Sequence, residues 1–265
     1  MAETLSQEER ERFASDGILF PIPLLSEVEV QRYRAALDEL KDRLGVDGSR
    51  LPSCHLYFPW AYDLALHPRV LAAVAEIVGP DVFIWGTLIM AKAPHSAAYI
   101  SWHQDGAYAS YLNGAPSVSA WIALSDSNVE SGCMRVVPGT QRQAVKHAER
   151  LDRDNMLIYG QTVETAVDES HAVEVELRAG QMSLHDLNII HGSNPNVSDH
   201  DRIGFIIRFA GAGTTRGTQV LRGIDGGCEH TNLLVRPAEP FAEDILQGYK
   251  EFLDSPDQRH RARTD

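Results

Sequence analysis

From Asp81 onward the chain offers short runs of β-branched and aromatic residues, VFIWGTLIMA, YISWHQ, SVSAWIAL, MRVVPG, AVEVEL, QMSLHD, NIIHGS and IGFIIRFA, punctuated by Gly, Pro, Asn and Ser. Runs of this length read as strands, and no helical pattern alternates with them, so an antiparallel sandwich or barrel is expected and a parallel α/β sheet is not. The stretch before Pro80 has a different character. Ser6 with Glu9, and Ser26 with Glu29, have the spacing of a capping box, and the second pair opens SEVEVQRYRAALDELKDRL, an amphipathic helix. A third helix is expected from Pro68, at the first helical position after His67, through VLAAVAEIV to Gly79-Pro80. The expected organisation is a single domain over residues 1–265: a helical N-terminal part (about 1–80), a β core (about 81–235), and a C-terminal helix and tail (236–265). The polar stretch from Gln141 to Asp154 reads as an insertion between strands, and PDQRHRARTD after Ser255 as a disordered tail.

Composition narrows the partners. No apolar run approaches the roughly 20 residues needed to span a bilayer, and MAETLSQEERERF is acidic where a signal peptide needs a basic start, so a cytoplasmic protein is expected. A formal charge of −13 repels nucleic acid and anionic membranes at long range, and neither is expected as a partner. Cys54, Cys133 and Cys228 are odd in number and show no CxxC spacing, which argues against a disulfide framework or a thiolate zinc site. The oligomeric state stays open, with a homodimer among the options.

The chemistry concentrates in two segments. In WHQDGAY, His103 and Asp105 are two apart, so on an extended strand both point to one side while Gln104 points away. Alone, such a pair is more often a strand-end hydrogen bond than a ligand set. The second segment is NIIHGSNPNVSDHDRIGFIIRF, where His191 ends an apolar strand, Ser193 follows two residues later and Arg202 lies eleven residues on. Two histidines and one carboxylate on one face of an octahedral metal leave three positions open, which suits non-haem Fe(II) that must bind an organic co-substrate and dioxygen. A guanidinium at Arg202 can take a carboxylate bidentately, with the Ser193 hydroxyl sharing it.

Together with ERFASDGILF, HPRVLAAVAEIVGPDV and AWIALSDSNVESGCMRVVPGTQ, these segments resemble the phytanoyl-CoA dioxygenase-like branch of the Fe(II)/2-oxoglutarate oxygenases over most of the chain. The resemblance implies a mainly β fold, a double-stranded β-helix (jelly roll, cupin-like) with a packed helical layer. It implies that His103, Asp105 and His191 hold Fe(II), that Arg202 and Ser193 bind the 5-carboxylate of 2-oxoglutarate, and that O2 is the other co-substrate. Trp121 and Leu88 match positions lining the same pocket, where plain core packing is the competing reading. Lys92 stands where a lysine is common in such proteins, and reads equally well as a solvated charge at a strand end.

The expected reaction is hydroxylation of a small-molecule or natural-product-like substrate, with formation of succinate and CO2. Desaturation, epimerisation or ring formation in specialised metabolism is the alternative, and a non-catalytic β-helix binding protein is another class. Related halogenases carry a small residue in place of the carboxylate, so Asp105 argues against halogenation; Arg202 has no role in a zinc hydrolase. Substrate contacts are expected from loops: His55 to Trp60, Tyr108 and Tyr111, and the stretch from Asp152 to Thr165. His55 has a competing reading as a histidine packed among Leu56, Tyr57 and Phe58. Few cations in these loops give no signature for a coenzyme A ester. TQVLRGIDGGCEH resembles a segment of bacterial members that act in specialised metabolism or on small amino and phosphonate compounds. His147 with Glu149 has ligand spacing but polar surroundings that read as an exposed insertion. The adjacent pair His185-Asp186 reads as a turn before NIIH.

Overall fold

The computed structural model describes residues 5–109, 112, 114–211, 218–219, 237 and 241–255. Both capping boxes form. Glu9 N–H donates to Ser6 Oγ at 3.2 Å and Glu29 N–H to Ser26 Oγ at 3.3 Å, while the glutamate carboxylates accept from the cap N–H groups at 2.7 and 2.8 Å. They open α1 (Gln7–Asp16) and α2 (Glu27–Leu44), and α2 buries Tyr33, Leu37, Leu40 and Leu44 along one stripe. A short helix, α3 (Pro59–Ala65), had no expectation from the sequence; Pro59 at its first position is the one local signal for it. Then α4 (Pro68–Val78) runs as expected and α5 (Glu243–Leu253) closes the described chain. Tyr249 of α5 donates its hydroxyl to Pro52 O at 2.7 Å, which ties this helix to the chain before α3. No helix among the described residues is long and apolar enough to cross a membrane.

The strands, in chain order, are β1 (Ile18–Pro23), β2 (Arg50–Pro52), β3 (Phe83–Lys92), β4 (Ile100–His103), β5 (Ser117–Ala123), β6 (Met134–Val137), β7 (His147–Glu149), β8 (Gln161–Val163), β9 (Val173–Val175), β10 (Gln181–Asp186), β11 (Ile190–Ser193), β12 (Arg202–Ala210) and β13 (Thr218–Gln219). Every expected run became a strand. The large sheet has the order β1-β10-β5-β12-β3-β13, with β2 also on β3; the small sheet has the order β4-β11-β6-β9; β7 and β8 form a separate hairpin. All these pairings are antiparallel.

Three expectations need correction. The N-terminal part is not purely helical, because β1 and β2 join the large sheet; the prolines of ILFPIP disguised β1, and a sheet edge tolerates them because one side of an edge strand needs no ladder donors. The stretch Gln141–Asp154 is not a bare insertion: it holds β7, and His147 there is half-buried. His185 and Asp186 are not a turn but the last residues of β10.

Strand alternation separates two cores. Val118, Ala120 and Ile122 of β5, with Ile203, Phe205, Ile207 and Phe209 of β12, pack into the core shared with the helices. Trp121, Ala123 and Ile206 turn the other way and meet Met134, Val136 and Val175 of the small sheet. The large sheet is therefore buried on both faces, and the two sheets enclose an interior as a double-stranded β-helix of cupin-like form. Replacing Ser26 by Ala removes one capped donor at α2 and is expected to lower stability by about 1 kcal/mol in urea unfolding; an unchanged midpoint would show that tertiary packing alone sets the start of this helix.

Candidate metal and anion site

Antiparallel register makes neighbours of residues far apart in sequence. His191 of β11 is the direct cross-strand partner of His103 at the end of β4, and their ring centroids lie 4.1 Å apart. The ladder stops at His103, but Gln104 keeps an extended backbone (φ −117°, ψ 131°), so alternation persists for one more residue. Asp105, the first residue of a short 3-10 turn (Asp105–Tyr108), thus returns to the side of His103, with Oδ1 3.6 Å from His103 Nε2. The three ligand atoms all lie within 4.8 Å of one another, and all three residues are buried. Each histidine ring sets Nδ1 against the backbone carbonyl two residues back, Ser101 O at 2.9 Å and Ile189 O at 3.0 Å. That contact places the ring proton on Nδ1 and leaves the Nε2 lone pair for a metal. Two imidazoles and a carboxylate on one side fit Fe(II) with open positions.

Gln104 faces away, as expected, and is held on every polar atom. Its Nε2 donates to Gln143 O at 2.8 Å and to Asn188 O, its Oε1 accepts from Val145 N–H at 2.9 Å, and its backbone N–H donates to His147 Nε2 at 3.0 Å. His147 also donates from Nδ1 to Val145 O at 2.9 Å. It is therefore neither solvated nor a ligand, but a brace on the residue between two candidate ligands. Gly106 matters for the same reason: a Cβ there would stand 2.1 Å from Asn188 Oδ1.

Asp105 has a partner that the sequence did not reveal. Arg208 Nε donates to Asp105 Oδ2 at 3.0 Å and Arg208 Nη2 to Oδ1 at 3.2 Å, while Ser119 Oγ donates to Oδ2 at 3.4 Å. Burial works to raise the Asp105 carboxyl, but Arg208, His103 and His191 outweigh it and hold the carboxyl well below the usual range.

A second polar centre lies further along β12. Arg202 and Lys92 are cross-strand partners and both are fully buried, at 1% and 0% exposure. Arg202 directs Nε and Nη2 to one acceptor, Gly132 O, at 3.1 and 3.0 Å, and its buried Nη1 has no hydrogen-bond partner. Lys92 Nζ donates to Ser193 Oγ at 2.7 Å, to Gly132 O at 3.4 Å and to Asn194 O. The solvated reading of Lys92 is thus corrected: strand pairing with Arg202 carries it inside. Burial first and Arg202 second push Lys92 down to about 6, and burial pushes Arg202 down to about 10. A buried guanidinium is costly with no carboxylate at ion-pair distance among the described residues, and the amine beside it gives up its charge more readily for the same reason. A dicarboxylate reaching Arg202 Nη1 would relieve that cost, so the residues fit 2-oxoglutarate. The Arg202 guanidinium carbon lies 5.2 Å from the centre of the Trp121 ring, and that ring rests on Gly204, where a Cβ would meet Trp121 Cζ2 at 2.1 Å. The isolated glycine in IGFIIRF was a signal for such an approach.

A cavity of about 240 Å³ joins both centres. His103, Asp105, His191, Ser193, Arg202, Trp121 and Leu88 all line it, as do Met156, Leu157, Ile158, Tyr159 and Gln161 from the expected variable stretch. His55 does not. It sits in the short turn Cys54–Leu56 at 3% exposure, with Nδ1 2.7 Å from Thr87 Oγ1, and burial pushes it down to about 4, so the packing reading stands. The backbone of Tyr108 ends its turn and its side chain is not described; Tyr111 lies outside the described residues, as do the tail after Ser255 and TQVLRGIDGGCEH beyond the backbone of β13. His185, dismissed from sequence, lines the cavity with its ring 5.0 Å from that of His191, and its buried Nδ1 has no hydrogen-bond partner.

Gly204→Ala is expected to force the Trp121 ring off its seat, costing about 1–3 kcal/mol as overpacking and changing the near-ultraviolet circular dichroism; an unchanged spectrum and unfolding midpoint would refute the close approach.

Comparison with known proteins agrees with this geometry. The Phytanoyl-CoA dioxygenase (PhyH) family pattern matches residues 53–204. Ectoine dioxygenase of Bordetella parapertussis is 24% identical over 227 residues, covering 76% of this chain and 74% of the relative. The probable alpha-ketoglutarate-dependent hypophosphite dioxygenase of Stutzerimonas stutzeri is 25% identical over 165 residues, 62% of this chain and 57% of its own. Among solved structures, the apo form of the non-heme monooxygenase ThoJ superposes with a TM-score of 0.75 at 28% identity, covering 96% of this chain and 97% of that one. EvdO2 from Micromonospora carbonacea, complexed with 2-oxoglutarate, shares the fold with a TM-score of 0.67 at 24% identity, covering 84% and 96%. With more than half of its length matched by one family, the chain belongs to the phytanoyl-CoA dioxygenase family and is an Fe(II)/2-oxoglutarate-dependent dioxygenase.

Proposed function

We propose that this protein is a hydroxylase of small organic molecules with an apolar body and no net positive charge, working as a single domain over residues 1–265. His103, Asp105 and His191 hold Fe(II); Arg202 and Ser193 anchor the 5-carboxylate of 2-oxoglutarate, with Lys92 buried behind Ser193; Trp121 and Leu88 wall its chain. The observation that carries the reading is the unpartnered Nη1 of buried Arg202, beside buried Lys92, in the same cavity as the triad. The single domain is supported by one apolar core that runs from Leu5 to Tyr249.

When bound, iron and 2-oxoglutarate supply the oxidation, one atom of O2 entering succinate as CO2 is released and the other entering the substrate. The protein's residues position that chemistry. The two histidines present Nε2 because their Nδ1 protons are held by backbone carbonyls. With Asp105 as a ligand, the position that a halide would need would be taken, which favours hydroxylation. Trp121, Leu88 and Ile206 form an apolar floor between the two polar centres and exclude water from it. Lys92 takes up a proton when a carboxylate arrives, because the anion raises a group that burial and Arg202 hold at about 6.

The wall also speaks about substrate. Met134, Met156, Leu157 and Ile158 supply an apolar surface, and Asp105, the one acid among the lining residues, is already paired with Arg208. A cationic substrate would find no further carboxylate among the described lining residues. His185 offers a hydrogen-bonding group beside His191 for a neutral polar substituent. The relatives named for ectoine and hypophosphite support a small-molecule substrate.

Anaerobic Fe(II) with 2-oxoglutarate is expected to give a weak visible charge-transfer band in wild-type protein and none in His191→Ala; a band of equal strength in the variant would sink the ligand assignment. Arg202→Met is expected to weaken 2-oxoglutarate binding about a hundredfold, the loss of a charge-assisted pair worth roughly 3 kcal/mol.

The proton uptake has a definite sign. Below about pH 6 Lys92 is charged before binding and affinity is flat, whereas above it binding must take up a proton and affinity falls as pH rises. Calorimetry at pH 7.5 in buffers of different ionisation enthalpy should detect this uptake, and Lys92→Met should abolish it; no uptake in wild type would disprove the linkage.

A further inference from the structure

The inner face of the large sheet is ordered in rows. His185, Ser119 and Arg208 stand side by side across β10, β5 and β12, while the next row along is Ser183, Trp121 and Ile206. The first row is polar because it faces Asp105. Two of its members touch that carboxylate, and they touch it unequally: Oδ2 receives both Arg208 Nε at 3.0 Å and Ser119 Oγ at 3.4 Å, whereas Oδ1 receives Arg208 Nη2 at 3.2 Å and lies 3.6 Å from His103 Nε2. The guanidinium itself is held, its central carbon 5.5 Å from the Trp85 ring centre.

We propose that Arg208, assisted by Ser119, is a positioning residue that restricts Asp105 to a single coordinating oxygen, Oδ1, and so keeps one metal position open. This rests on the metal triad proposed above. A carboxylate beside a divalent ion can bind through one oxygen or chelate through both. Chelation by Asp105 would fill a position in a site that needs three, two for the co-substrate and one for dioxygen. Swinging Oδ2 onto the metal would break its bonds to Arg208 Nε and Ser119 Oγ where Asp105 is 1% exposed, and no water would replace them. Oδ1 is the oxygen on the triad side, 3.6 Å from His103 Nε2. Only a planar fork can grip both oxygens along the outer edge and fix the carboxylate plane; a lysine ammonium, a point charge, cannot.

The test is made on full-length protein loaded with Co(II) and 2-oxoglutarate, titrated with azide as a small anion for the last open position and followed by visible absorption. Wild type is expected to take up azide. Arg208→Lys keeps the charge and loses the fork, and its azide affinity is expected to fall at least tenfold; Ser119→Ala should fall by a smaller factor. Azide uptake by Arg208→Lys at the wild-type affinity would overturn the proposal. If Arg208→Lys binds no Co(II), its melting temperature without metal decides: a wild-type value supports positioning of Asp105, and a value more than 10 °C lower assigns Arg208 a structural role and overturns it. Failure of the wild-type protein itself to bind Co(II) or Fe(II) would count against the triad instead.

Discussion

The register of β12 between β5 and β3 is the constraint on which the rest of the molecule depends. Its alternate residues Ile203, Phe205, Ile207 and Phe209 complete the core under the helices, while Arg202, Gly204, Ile206 and Arg208 face the interior. A slip of one residue would exchange the two sets, putting two arginines into a core of leucines and valines and four large apolar side chains into the cavity. Because both faces are buried, no partial slip is tolerable. The same register sets Lys92 beside Arg202, Trp121 over Gly204, and Arg208 beside Ser119. One strand thus supplies a buried cation with an unpartnered Nη1, the seat of the ring packed against it and the grip on a candidate metal ligand.

Such a strand carries charges where charges are costly. Arg208 and Asp105 compensate each other within a buried pair, so this end of the cavity is balanced before any ligand arrives. Arg202 and Lys92 have no such balance: they share backbone carbonyls, and the Arg202 charge lowers the proton affinity of Lys92. The apolar core on the opposite face of the sheet is what holds them in place. A site that is destabilising until it is filled is the expected form of a co-substrate pocket, since the ligand recovers the electrostatic cost on binding.

Much of this architecture was legible. Capping boxes at Ser6 and Ser26, the proline start of α4 and the β-branched runs after Asp81 announced their elements because those signals are local. The HxD of WHQD, with His191, Ser193 and Arg202, announced the chemistry for the same reason: each motif is contiguous. What stayed hidden was relational. Arg208 drew no reading from the sequence, while His185 looked like part of a turn, His147 like a solvated insertion and Lys92 like a strand terminus. In each case the partner that gives the residue its role lies on another strand or loop: Asp105 for Arg208, His191 for His185, Gln104 for His147, Ser193 for Lys92. Strand β1 was hidden differently, by prolines that only an edge position excuses.

The sequence by itself therefore determined the helices α1, α2 and α4 and the strand runs after Asp81, the mainly β class, and the identity of three residues fit to hold iron with a cation fit to hold a dicarboxylate. Tertiary structure alone decided which strands became neighbours, and in what register. From that came the burial of Lys92, the pairing of Asp105 with Arg208 and the exclusion of His55 from the cavity. The physical reason is that periodicity tells which way a side chain points relative to its own strand, whereas the energy of a buried charge depends on what stands opposite it, and that is set by packing across the sheet.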